Sequence, residues 1–198
     1  MFSELSLIIL ATLFGVSFAS NAVPFFGVSY TLIATADLIA SGFNLANFGA
    51  IVLVTALGAT LAKIILYTGA LGLQGKLTRN KNIRLFQNWL HNRSFYPALF
   101  ITAFVPILPL DDYIYIGAGA NKARLAPMLG VTMLAKLAKS AFEIYLEFKG
   151  LIGLSYFTRM SGLELSISLS IMFVVLGVVL YKLDWQNLLG QIGILKTK

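Results

Sequence analysis

The chain has 198 residues, 58% of them hydrophobic and only 12% charged, with a mean hydropathy of +0.84 and a net charge of +7. Soluble domains carry about 25% charged residues, so a polytopic membrane protein is expected, with no room for a soluble catalytic domain beside it. One all-helical membrane domain over residues 1–198 is expected, with roughly four to six segments of about 20 residues each. The absence of cysteine and the single histidine, His91, exclude disulfides, thiol chemistry and a Cys/His metal centre, so neither a metal nor a cofactor is expected.

The first apolar segment covers residues 5–18. Ala19 and Ser20 are small enough for signal cleavage, but the stretch before the apolar run holds Glu4 and neither Lys nor Arg, so a retained helix is the better reading. Residues 21–42 are apolar but interrupted by Asn21, Pro24, Gly27, Ser29, Asp37, Ser41 and Gly42. Proline lacks a backbone donor and breaks a continuous helix. This segment is therefore expected to be a short helix, a turn and a second short helix, with a re-entrant course. From residue 5 to residue 62 Asp37 is the only charged side chain. Its placement fits a hairpin end near water, a counterpart to the later aspartates across a pseudo-two-fold axis, or an ion pair with Lys63.

Residues 45–73 form a long apolar helix in which Gly58 and Ala62 stand four apart, a spacing that lets helices approach closely. Lys63 lies ten residues before its end, deep enough that snorkelling to the interface and binding of a headgroup are both open. Residues 76–93 hold Lys76, Arg79, Lys81, Arg84 and Arg93 and no acid. A short basic loop of this kind marks the cytoplasmic side. Ile83, Phe86, Trp89 and Leu90 recur in it at helical spacing, as in an amphipathic helix lying on anionic phospholipid headgroups. A nucleic-acid partner is not expected, because membrane segments flank the patch.

Residues 95–120 form a second broken segment, with Pro97, Pro106 and Pro109 followed by Asp111 and Asp112. Carboxylates at membrane depth are tolerated only beside a partner or a wet cavity. One of the pair suits the N-terminus of the second half-helix; the other is the strongest candidate for a proton or cation site. Residues 125–148 form the next long helix, entered through Pro127. Lys136, Lys139, Glu143 and Glu147 share one face of it, at spacings of 3, 4 and 4. Lys139 and Glu143 can pair at i,i+4. This stripe is either a salt ladder inside the bundle or the lining of a polar path. Val131, Leu134, Ala138 and Ala141 form the apolar face. Tyr113, Tyr115, Tyr145 and Tyr156 are expected as interface anchors. Residues 165–181 form a last uncharged span, ending in Tyr181, Lys182 and Trp185.

The order repeats as broken segment then long helix, over 21–73 and 95–148. Interrupted segments at matching positions of two halves point to a transporter site between them. Asp37, Lys63, Asp111, Asp112, Lys136, Lys139 and Glu143 are the candidate substrate or ion ligands, and Pro24, Pro106 and Pro109 the hairpin breakers.

Phe104, Val105, Pro106, Pro109, Asp111 and Asp112, followed by Gly117, Gly119 and Lys122, resemble the second signature of the DedA membrane proteins (also called the SNARE-associated or VTT-domain family), in the branch with a proline–aspartate motif. Gly58, Tyr67, Gly69 and Gly72 resemble that family's glycine and tyrosine–glycine stretch, and the resemblance extends over about residues 15–150. It implies two facing re-entrant hairpins and lipid transport. Bacterial members are associated with recycling of polyprenyl-phosphate carriers, and eukaryotic relatives with phospholipid scrambling. Where the family carries arginines around the second hairpin, this chain has Ala103 and Pro109, and the acidic residue of the first signature is missing unless Asp37 replaces it. If arginines hold a lipid phosphate in other members, then Lys63, Lys136 or Lys139 does so here, or the substrate differs.

The expected function is thus a flippase or scramblase for a phosphate-headgroup lipid in the plasma membrane, not an enzyme. Protons or another cation are expected to couple or gate it, and a homo-oligomer is compatible with it. The alternatives are a small-ion or small-solute secondary transporter, a membrane enzyme acting on lipid phosphates, and a structural membrane protein that recruits partners.

Overall fold

The computed structural model describes residues 6–23, 30–77, 94–105 and 110–158, and isolated positions between 164 and 175. All elements among them are helical: α1 Leu7–Ala22, α2 Tyr30–Ser41, α3 Leu45–Gly72, α4 Gln74–Leu77, α5 Phe95–Phe104, α6 Leu110–Ala120 and α7 Leu125–Thr158. Pro24, Pro106, Pro109, the basic amphipathic stretch 78–93 and most of 165–181 lie outside the described residues.

Local chemistry sets the boundaries. The Ser6 side chain accepts from the Ile9 amide at 3.3 Å and caps α1. Gly42, with φ 81°, turns the chain out of α2 in a backbone conformation that favours glycine. Asn44 then caps α3 by accepting from the Asn47 amide at 2.7 Å, while Asn47 Nδ2 donates to the Gly42 carbonyl at 3.2 Å. α1 continues to Ala22, four residues past the expected end, and α7 continues ten residues past 148.

Two helices, Leu45–Gly72 and Leu125–Gly153, are long and apolar enough to cross a membrane. α1, α2, α5 and α6 are shorter, from 16 residues down to 10. At 1.5 Å per residue they reach only about 15–24 Å, less than the ~30 Å hydrocarbon thickness.

The packing follows a repeated scheme. The expected short helix, turn and short helix over 21–42 is not what residues 30–41 form, which is the single helix α2, and α1 takes the place of its partner, so the first half is counted here from α1. α1 packs on α3 and α5 on α7, each short helix on the long helix of its own half. α2 packs on α7 and α6 on α3, each on the long helix of the other half. The two long helices pack on each other, so exchanging the halves preserves these pairings. Gly58 makes the first of them possible: a Cβ there would lie 2.6 Å from the Phe14 carbonyl oxygen. Gly119 makes another, because a Cβ there would run into the Tyr67 carbonyl oxygen.

Leu13, Ala34, Leu38, Ile51, Val52 and Ile144 form one core cluster. Leu66, Tyr67, Phe95, Leu99, Ile114, Tyr115, Ala118 and Met128 form another. Along α3, Lys63 falls between the positions that feed the two. The outward side of α3 carries exposed Leu53, Leu57, Leu61 and Ile65, four residues apart. α7 likewise exposes Leu134, Phe142 and Leu146. Large apolar side chains turned out along both long helices match a lipid-facing surface.

Candidate functional site: a buried lysine–aspartate quartet

The second broken segment places Asp111 and Asp112 in the first turn of α6, and α6 packs against α3. The Lys63 ammonium meets both carboxylates, at 3.1 Å from Asp111 Oδ2 and 2.5 Å from Asp112 Oδ1. Lys136 of α7 closes the group, with its Nζ 3.0 Å from Asp111 Oδ2. All four side chains are at most 4% exposed. Two ammonium groups face two carboxylates, so the quartet is neutral in sum, as a buried charge cluster must be to persist. Lys63 lies about 7 Å, and Lys136 about 5 Å, from the midpoints of the long apolar helices that carry them.

Several sequence expectations change here. Lys63 does not snorkel: it is 1% exposed and held from inside the bundle. Its partners are Asp111 and Asp112, not Asp37, which is half-buried on α2 with no ion pair among the described residues. The adjacent aspartates both converge on the Lys63 ammonium from the first turn of one helix. Lys63 and Lys136 are also not free cations awaiting a phosphate, since the aspartates compensate both. Tyr115 is not an interface anchor: it is fully buried, and its hydroxyl pairs with Thr132 Oγ1 at 2.8 Å. Tyr113 and Tyr145 are exposed, as anchors should be.

The stripe on α7 continues away from the quartet. Lys139 reaches Glu143 at 3.8 Å and donates to the Val105 carbonyl at 3.4 Å, both long contacts. Glu147 accepts from Thr31 Oγ1 at 2.7 Å and meets Thr35 Oγ1 at 2.8 Å, which ties α7 to α2. The Tyr30 hydroxyl, at the start of α2, lies beside Ser140 and within electrostatic reach of Glu143, Asp111 and Lys63. Among the described residues, neither it nor Ser140 Oγ attains hydrogen-bond geometry with a partner.

Tyr30, Thr31, Thr35, Ser140 and Glu147 were not among the candidate ligands. A signal for them was present: Ser140 shares the stripe with Lys136, Glu143 and Glu147, and Thr31 and Thr35 stand one turn apart on α2. Which of those hydroxyls face the stripe depends on the docking of α2 on α7. Among the described residues, no group of three or more His, Cys, Asp or Glu side chains could hold a metal ion. No family model, curated protein or solved structure matches the chain.

Proposed function

We propose that the chain is a DedA-like transporter, a flippase or scramblase for a lipid with a phosphate headgroup such as a polyprenyl phosphate or phospholipid. In this reading α1–α2 and α5–α6 are two re-entrant hairpins that enter from opposite faces of the plasma membrane, with the 76–93 segment cytoplasmic. The observation that carries the proposal is the quartet of Lys63, Asp111, Asp112 and Lys136. Four charges buried near the middle of two apolar helices are costly as mere scaffolding. They are well suited to exchange of partners: a headgroup oxyanion can take over a lysine once an aspartate releases it by taking up a proton. The anion then enters a site whose total charge does not change, while the tails stay in lipid.

Flipping of fluorescent phospholipid and polyprenyl-phosphate probes in liposomes carrying the purified protein tests this. Protein-dependent flipping, lost on Asp111→Asn or Asp112→Asn, is the expected result. No flipping of any probe, at two pH values and under any ion gradient, would exclude the lipid reading.

A second reading, a small-ion or small-solute secondary transporter, draws support from the full compensation of both lysines. It differs in requiring no lipid tail, so a water-soluble substrate would be carried in the same liposomes.

A further inference from the structure

The charges of the quartet and the α7 stripe do not balance. Against the three lysines Lys63, Lys136 and Lys139 stand four carboxylates, Asp111, Asp112, Glu143 and Glu147. Lys63 and Lys136 hold the aspartates, and Lys139 stands at Glu143. Glu147 is left over, with no ammonium group within ion-pair distance among the described residues. What it meets instead is α2, through the hydroxyls of Thr31 and Thr35, both buried.

The hydrogens of this contact can be counted. Three short oxygen–oxygen contacts join the group: Thr31 Oγ1 to Glu147 Oε1 at 2.7 Å, Thr35 Oγ1 to Glu147 Oε2 at 2.8 Å, and Thr35 Oγ1 to the Thr31 carbonyl oxygen at 2.8 Å. At such distances each contact needs one proton between its two oxygens. Each hydroxyl supplies one, while a carbonyl and an ionised carboxylate supply none. With Glu147 ionised, two protons serve three contacts. A proton on Glu147 completes the set: Thr31 Oγ1 donates to Oε1, Oε2 donates to Thr35 Oγ1, and Thr35 Oγ1 donates to the Thr31 carbonyl. The same proton removes the one charge that has no counter-ion, and an unpaired ionised carboxylate inside a bundle is costly. Charged and titratable groups of the neighbouring elements lie elsewhere. On α7, Lys139 and Glu143 stand two turns and one turn back, and Lys149 sits over the Tyr145 ring. On α2, Asp37 is turned about 200° from Thr35, onto another face, and the Tyr30 hydroxyl lies beside Ser140. α3 brings Lys63, held in the quartet, and Tyr67, bound to the Ala123 carbonyl, and α5 brings the exposed Tyr96. Glu164 is exposed, next to the Leu165 that packs on Leu32 and Leu151.

From these observations we infer that Glu147 is a proton-binding site, its carboxyl held neutral by Thr31 and Thr35 where α2 of one half meets α7 of the other. The O–H bond on Oε2 forms with a proton taken from water and breaks by returning it to water, which requires α2 to part from α7 because the proton is enclosed in the contact. The site is distinct from the quartet. Proton binding does not depend on the lipid reading, but a role for this proton in driving transport rests on it.

The test is infrared difference spectroscopy of the full chain in lipid nanodiscs at neutral pH. Subtracting the spectrum of Glu147→Gln from that of the unsubstituted chain isolates this one carboxyl. The expected result is a protonated-carboxyl C=O stretching band that is present in the unsubstituted chain, absent from the variant and shifted in deuterium oxide. Loss of an ionised-carboxylate band instead would overturn the site. The glutamine amide can donate to Thr35 and accept from Thr31, so the contact survives the substitution. Thr35→Val keeps the test open should Glu147→Gln fail to fold: it removes the acceptor of the Glu147 proton and is expected to move the protonated-carboxyl band to higher frequency. A protonated-carboxyl region unchanged by Thr35→Val would overturn the site as well. Lipid flipping under a pH gradient, measured in parallel, separates the two ideas. A protonated Glu147 without flipping of any probe keeps the site and removes the lipid reading. Flipping with an ionised Glu147 does the reverse, and a gradient response equal in Glu147→Gln and the unsubstituted chain would overturn the driving role alone.

Discussion

Lys63 is the residue on which the quartet turns, because among the described residues it is the ammonium paired with both aspartates. Replacing it by Met leaves two buried carboxylates facing one ammonium, Lys136, which reaches only Asp111. Breaking a buried pair from one side costs about 3–5 kcal/mol, and Lys63→Met is expected to lose stability on that scale in thermal or denaturant unfolding in detergent. Adding Asp112→Asn restores charge balance, since Asp111 and Lys136 remain as a neutral pair. The double variant is therefore expected to recover most of the loss. A double variant no more stable than Lys63→Met would show that Asp112 carries no charge in the folded state. The same logic explains why sequence alone left Lys63 between two readings: burial decides whether a lysine is a wet cation or half of a pair, and burial is set by neighbours distant in the chain.

At the scale of elements, two glycines hold the interlock together. Gly58 lets α1 lie on α3, and Ser17 Oγ then donates to the Thr55 carbonyl at 2.6 Å across the contact. Gly119 lets α6 lie on α3 and thereby brings Asp111 and Asp112 to Lys63. Gly119→Ala is expected to cost about 1–3 kcal/mol from overpacking, together with loss of the proposed lipid flipping, because it pushes the aspartates away from their lysine. Gly58→Ala should cost a similar amount through α1. Gly69→Ala is the control: no atom lies within 4 Å of its Cβ position. There a helix gains up to about 1 kcal/mol from replacing glycine by alanine. Unfolding midpoints of the three variants check the set, and equal midpoints for Gly119→Ala and Gly69→Ala would mean that α6 does not press on α3.

For the whole molecule, the proposed re-entrant course makes a topological prediction. The chain has no cysteine, so single cysteines report position without background. Ser6 and Asn44, both exposed, flank the α1–α2 pair and should label with an impermeant thiol reagent from the same side of the membrane. Asn44 and Leu73 flank α3 and should label from opposite sides. Labelling of Ser6 and Asn44 from opposite sides would turn the first hairpin into a full crossing and remove the two-fold arrangement from the proposal.

The all-helical class and the positions of the two helices long and apolar enough to cross a membrane were legible in the sequence. Each depends on local composition, on proline, and on runs of apolar residues, all of which act within a few turns. The charged stripe on α7 was legible for the same reason, since helical periodicity places Lys136, Lys139, Glu143 and Glu147 on one face. Tertiary structure alone decided the partners. Asp111 and Asp112 meet Lys63 rather than Asp37 because α6 crosses to the long helix of the other half. Tyr115 is buried because α6 places it against Thr132 of α7. Thr31 and Thr35 reach Glu147 because α2 crosses to α7. Ion pairing between buried helices is a matter of a few ångströms between segments far apart in sequence, and close contacts set those distances: the one at Gly58 was signalled by its four-residue spacing from Ala62, whereas the one at Gly119 depends on which helix α6 meets.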